Sequence, residues 1–151
     1  MPWKPSYDWN SNKFFAKQIY TMLKNVKKLY VTALLVLGLA IALYTLLVHF
    51  QPTLLYCPNT GVINCAFVLQ SAYSALFGIP LELLASAWFI VMLLLFQSKN
   101  KSAMSFTPIW IMLGLGGIAY SITAQFLLGK VCIYCLSIDT IIALIAALSV
   151  I

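Results

Sequence analysis

The stretch Val131-Cys132-Ile133-Tyr134-Cys135-Leu136-Ser137-Ile138-Asp139-Thr140-Ile141-Ile142-Ala143-Leu144 opens the last hydrophobic segment of the chain and carries a Cys-x-x-Cys at its N-terminal end. An apolar run that continues to the C-terminus with a single acidic residue reads as a membrane helix. A cysteine pair at the first turn of such a helix puts one thiol beside unsatisfied backbone N–H groups and the positive end of the helix dipole. Both favour thiolate, the reactive form. Lys130, two residues before Cys132, adds positive charge.

Upstream, the chain repeats the same kind of segment. Of its 151 residues, 63% are hydrophobic and 8% charged, more apolar surface than a soluble domain of this length can cover. A first span is read from about Leu29 to Phe50, ended by Gln51-Pro52. A second begins at Pro80 and runs to about Phe96, a third covers about Phe106 to Leu128, and the fourth starts at Val131. Between the first two spans, Cys65 to Phe77 has Val68, Leu69, Ala72, Tyr73 and Leu76 at helical spacing. It is too short to cross a bilayer, so a half-helix at the interface is expected, closed by the turn Gly78-Ile79-Pro80. Gly114, Gly116 and Gly117 in the third span are small residues that permit close helix approach. The expected fold is an all-α integral membrane bundle of four transmembrane helices with a short interfacial helix in the first outer loop. Its domain covers residues 29–151, preceded by a basic arm over residues 1–28.

The charge of +6 is uneven: every basic residue is a lysine, and six of them precede Leu29. That pattern suits a membrane-surface anchor and topology signal rather than a nucleic-acid face. Within the arm, the apolar residues from Phe14 to Leu29 recur at roughly helical spacing among Lys13, Lys17, Lys24, Lys27 and Lys28. An amphipathic surface helix and an unstructured basic tail both fit. No cleavable signal peptide is apparent, because polar, lysine-dotted sequence continues too long before the first apolar run. With four spans, the arm and the Lys99/Lys101 connector share one side, and Lys130 alone lies on the other. The lysine-rich side, with both termini, is then cytoplasmic. Cys57, Cys65, Cys132 and Cys135 all fall on the outer, oxidising face of the cell membrane, where disulfides persist.

Two thiol pairs at one membrane surface point to electron transfer between thiols and an acceptor in the lipid. The spacing Cys57 to Cys65 suits a mobile loop pair that relays electrons to a fixed pair. Other readings compete. Four cysteines can hold zinc, although no histidine or acidic second shell accompanies them here. They can also form two structural disulfides in a small non-enzymatic membrane protein. Which cysteines are bridged at rest, Cys57 with Cys65 or Cys65 with Cys132, does not follow from spacing. His49, at the outer end of the first span, reads as an interfacial residue. Glu82 and Asp139 are the acidic residues within the spans. Glu82 lies near the outer surface, where a solvated role is expected. Asp139 shares a helical face with Cys132 and Cys135, at i, i+3 and i+7. It is a candidate for protonating an acceptor beneath the thiols or, equally, a carboxyl hydrogen-bonded to a neighbouring helix.

The combination of Cys57, the run Asn64-Cys65-Ala66-Phe67-Val68-Leu69-Gln70-Ser71, then Phe77-Gly78-Ile79-Pro80 and Cys132-Ile133-Tyr134-Cys135 resembles the vitamin K epoxide reductase family, in its prokaryotic, disulfide-forming branch. The resemblance implies a thiol:quinone oxidoreductase that drives disulfide formation in exported proteins. Cys57 would accept electrons from a separate thioredoxin-like (DsbA-like) protein, and Cys65 would pass them to Cys132. Cys135 would face a membrane quinone of the ubiquinone or menaquinone type. Ser71 would hydrogen-bond near the quinone ring, where it otherwise serves as a helix or turn cap. With Cys135 and Asp139 it completes the expected quinone site; no metal site is implied. Two positions depart from the vertebrate pattern. Asp139 stands where those enzymes have a tyrosine, and the family's asparagine near the second span has no counterpart, with Glu82 nearby. Both departures favour quinone over vitamin K epoxide as substrate. The DsbB-type oxidases carry their Cys-x-x-Cys and carrier pair in the reverse order.

Overall fold

The computed structural model describes residues 9–150. Four long helices dominate: α1 (Trp9–Phe50), α3 (Leu81–Gln97), α4 (Lys101–Leu128) and α5 (Ile133–Val150), with a short α2 (Cys65–Leu69) between the first two. Helix α1 packs on α3 and α5, and α4 packs on the same two, so the four close into a ring in chain order. The connectors Ser98–Asn100 and Gly129–Cys132 are short enough to make their helices antiparallel neighbours. α1 and α4 are long and apolar enough to cross a membrane. α3 and α5, with 17 and 18 residues, sit at the lower limit for a span.

The helix ends follow local chemistry. Asn100 caps α4, its Oδ1 accepting from Ser102 N at 3.3 Å. Gly129, left-handed at φ 59°, ends that helix. The amides of Gly129 and Lys130 turn back to Phe126 O and Gln125 O, a Schellman closure that saturates the last carbonyls. α1 ends where Gln51-Pro52 starts a single 3-10 turn (Pro52–Leu54).

The centre of the bundle is a core of Val31, Leu35, Ala42, Trp88, Phe89, Met92, Ile138, Ile141, Ile142 and Ile145. Small residues let α3 sit close to both neighbours. A Cβ on Gly38 would lie 2.3 Å from Phe89 Cε1, and one on Gly114 would lie 2.7 Å from the Trp88 ring. Gly116 and Gly117 meet nothing within 4 Å, so of the three glycines in α4 only Gly114 mediates helix contact. Trp88 Nε1 donates to Trp110 O at 2.9 Å, and Trp110 Nε1 donates back to Trp88 O at 3.1 Å, stitching α3 to α4.

The segment 65–77 is not one half-helix. α2 stops after five residues, a 3-10 turn covers Ala72–Ser74, and Ala75–Leu76 (β1) pairs antiparallel with Ile79–Pro80 (β2). Two features end the helical path. Ser71 takes an extended backbone (φ −71°, ψ 161°), and its Oγ and that of Ser74 donate to Val68 O and Ser71 O at 2.8 Å. Phe77 and Gly78 both take positive φ, 53° and 81°, the two-residue hairpin turn. The basic arm from Trp9 onward continues α1 without a break, and residues 1–8 lie outside the described part.

Candidate active site

The turn between α4 and α5 builds the site. Val131 joins Ile63 in a parallel bridge, with Asn64 N donating to Val131 O (3.1 Å) and Val131 N to Val62 O (2.9 Å). This bridge fixes the first outer loop against the start of α5. Cys132 then stands at the N-cap position: its Sγ accepts from Cys135 N at 3.4 Å. Its own N–H donates to Gln125 Oε1 at 2.8 Å. The i, i+3 spacing thus places the Cys132 sulfur over the first turn of α5, where backbone amides converge.

The other pair is a disulfide, Cys57–Cys65, with Cα atoms 6.2 Å apart. Cys132 and Cys135 are free thiols. Cys65 and Cys132 belong to one buried cluster with Val48, Val68 and Leu69, against which Cys57 and Cys135 pack. All four cysteines therefore share one patch at one end of the bundle. Of the pair expected on a mobile loop, Cys57 lies in the loop and Cys65 at its far end. Cys65 is the first residue of α2 and only 1% exposed. The loop is strapped on both sides: Lys130 Nζ donates to Gly61 O, Tyr134 Oη donates to Tyr56 O, and Tyr44 Oη donates to Leu54 O at 3.1 Å. The Tyr44 and Tyr134 rings lie 5.3 Å apart beside it. Cys57 is half-exposed. The disulfide occupies two of the four thiolates that a shared zinc ion would need.

A cavity opens against Cys135, lined by Val68, Leu69, Ser71, Tyr73, Ser74, Leu81, Glu82, Ser121, Ala124 and Gln125. It collects α2, the 3-10 turn, α3, α4 and α5 at one point. Its interior is about 40 Å³. An apolar cavity of about 150 Å³ admits benzene, so a ring enters here only if side chains move aside. On the wall toward the hairpin, Tyr120 Oη of α4 donates to Tyr73 O at 3.3 Å.

Of the residues expected at a quinone site, Ser71 and Cys135 line this cavity. Asp139 does not. It lies behind Ser121, whose Oγ donates to Asp139 Oδ2 at 2.8 Å. Gln125 Nε2 reaches Ser121 Oγ at 3.4 Å, so a chain of contacts runs from Asp139 through Ser121 and Gln125 to the Cys132 amide. Nothing but the presence of polar residues one helical turn apart in an apolar span marks Ser121 and Gln125 in the sequence. Glu82 also departs from its expected solvated role: it is 5% exposed and faces the cavity. His49 is its ionisable neighbour, Nδ1 to Oε2 at 3.7 Å. Among the described residues these two atoms are the buried side-chain polar atoms without a hydrogen bond.

No curated protein and no solved structure matches the chain significantly. A family model described as the vitamin K epoxide reductase family matches residues 29–150, nearly the whole chain and all four cysteines. The chain belongs to the vitamin K epoxide reductase family, a membership that implies oxidoreductase chemistry and, with the long apolar helices, a membrane protein.

Proposed function

We propose that this protein is a thiol:quinone oxidoreductase of the prokaryotic, disulfide-forming branch of its family. It reoxidises a separate thioredoxin-like protein and so drives disulfide formation in exported proteins. The observation that carries this reading is the juxtaposition of an oxidised pair, Cys57–Cys65, with a reduced pair, Cys132 and Cys135, in one buried cluster whose edge is a cavity. A structural disulfide has no need of a free Cys-x-x-Cys beside it.

In this reading α1, α3, α4 and α5 each cross the bilayer. The lysine-rich arm and the Lys99/Lys101 connector are cytoplasmic, and the cysteine end faces outward. The cycle conserves atoms and electrons at each step. The Cys132/Cys135 dithiol gives two electrons and two protons to a quinone, forming the Cys132–Cys135 disulfide and a quinol. A thiolate of the reduced carrier attacks Cys57 and releases Cys65. The carrier's second thiol resolves this mixed disulfide, leaving Cys57 and Cys65 reduced and the carrier oxidised. Cys65 thiolate then attacks Cys132, expelling Cys135, and Cys57 attacks Cys65 to restore the Cys57–Cys65 disulfide and the Cys132/Cys135 dithiol. The state seen in the structure is the one poised to reduce quinone.

The test is anaerobic quinone reduction by the purified protein, with a reduced thioredoxin-like protein as donor. Wild type should form quinol and Cys135→Ala should not. Absence of wild-type turnover with both ubiquinone-type and menaquinone-type acceptors would overturn the reading.

A further inference from the structure

Helix α1 is 42 residues long, about 63 Å at about 1.5 Å per residue, twice what a hydrocarbon core of about 30 Å requires. Its two sides differ. Val31, Leu35, Gly38, Ala42 and Thr45 face the bundle and are buried. On the opposite side, Ile19, Met22, Val26, Leu29, Ala33, Val36, Ala40, Leu43, Leu47 and Phe50 are all exposed. These positions alternate steps of three and four without interruption, an apolar repeat of 3.5 residues. The seam is about 46 Å long, so about 16 Å of it, from Ile19 to Leu29, extends past the bilayer into water.

We infer that this seam pairs with the same seam of a second copy, forming a parallel two-helix coiled coil that joins two bundles about an axis along the membrane normal. The repeat has the period that keeps two supercoiled helices in register. In the arm, β-branched Ile19 and Val26 occupy one core position and Met22 and Leu29 the other, the arrangement that favours two strands. The flanking positions Gln18, Leu23, Asn25 and Tyr30 are uncharged, so a parallel pair opposes no like charges there. Lys13, Lys17, Lys24, Lys27 and Lys28 fall on the outer positions, on the face that continues the bundle side of α1. Ile19, Met22, Val26, Leu29, Val36, Leu43, Leu47 and Phe50 are each between 45% and 73% exposed. At roughly 100 Å² apiece they offer roughly 800 Å² per copy; the half from Ile19 to Leu29 lies past the bilayer, where pairing displaces water, and the rest packs within the lipid.

An anionic lipid surface is the rival occupant, and the geometry disfavours it. To lie flat with its apolar seam in the interface the arm must turn away from the membrane span, and α1 offers no place to bend: it has no glycine or proline before Gly38.

This inference rests on the membrane placement of α1 proposed above, and its test separates the two. The full chain, carrying one dye at its N-terminus, is reconstituted in zwitterionic and in anionic bilayers, and photobleaching steps are counted. Two-step bleaching in both lipids is the expected result. Ile19→Glu/Val26→Glu should weaken association at least about tenfold, because it puts unpaired charges in the seam. Lys24→Gln/Lys28→Gln should leave it unchanged. Unaltered near-UV circular dichroism of Trp88 and Trp110 will show that the bundle is folded in each variant. Single-step bleaching at every density would overturn the dimer, as would undiminished association of the glutamate variant. So would single copies whose residues 19–29 are protected from hydrogen exchange in anionic bilayers alone, the lipid outcome. Release of the chain by alkaline carbonate would instead overturn the membrane placement itself.

Discussion

His49 Nδ1 lies 3.7 Å from Glu82 Oε2 across the α1–α3 contact, and neither atom has a hydrogen-bond partner. Glu82 is 5% exposed, and burying its Oε2 without a hydrogen bond carries a desolvation cost. Glu82 shares the cavity wall with Cys135, and under the function proposed above a protonated carboxyl there would donate to a carbonyl oxygen of the quinone.

Glu82→Gln should therefore lower quinol formation at least about tenfold, while leaving disulfide exchange between Cys57 and a thioredoxin-like donor intact. Stopped-flow absorbance of the quinone, beside a gel assay of donor oxidation in a single turnover, separates the two half-reactions. Equal quinol rates in wild type and variant would rule Glu82 out as the donor.

Gln125 is expected to matter through Cys132 rather than through substrate. Its Oε1 is the acceptor for the buried Cys132 amide, and removing it leaves that N–H unpaired. Gln125→Ala should destabilise the protein by about 1–3 kcal/mol. It should also slow the Cys65-to-Cys132 exchange, because the Cys132 sulfur loses its fixed position over the helix end. Thermal unfolding in detergent and single-turnover exchange read the two effects.

The sequence displayed the bundle because apolar runs of membrane length and their Pro, Gly and Lys boundaries are local signals. The span limits at Phe50, Phe96 and Leu128 fall within one residue of helix ends. Gathering the four cysteines at one end followed from topology alone. What stayed hidden depends on tertiary contact. Ser71 and Ser74 could equally have continued the helix, and only the extended backbone of Ser71 shows where it stops. The burial of Glu82 beside His49 and the Ser121–Gln125 relay are tertiary contacts that periodicity does not encode. Asp139 is legible in the sequence as a carboxyl in an apolar run, but its partner is not; Ser121 is that partner.

The glycines give a direct test of the packing. Gly38→Ala forces a methyl to within 2.3 Å of the Phe89 ring and should destabilise by about 1–3 kcal/mol, seen as a lower Tm. Gly117→Ala, with open space around its Cβ, should be neutral to slightly stabilising. Equal Tm values for the two variants would mean that α1 and α3 do not approach at Gly38.

The most decisive covalent test uses the order of exchange. Cys65 and Cys132 lie in one buried cluster, while Cys57 faces the half-exposed side. Removing the resolving sulfur on either side should therefore trap a different partner. Cys135→Ala leaves Cys132 without its own partner, so Cys132 should bridge to Cys65 and free Cys57, which then takes up one maleimide label. Cys65→Ala leaves Cys57 as a free thiol, so it should attack the disulfide of an oxidised thioredoxin-like protein and form a mixed disulfide, releasing that protein's second thiol. Mass spectrometry of non-reduced peptides distinguishes the bridges. If Cys135→Ala keeps the Cys57–Cys65 bond and shows a free Cys132 under oxidising conditions, the two pairs do not exchange, and the disulfide serves only to hold the loop.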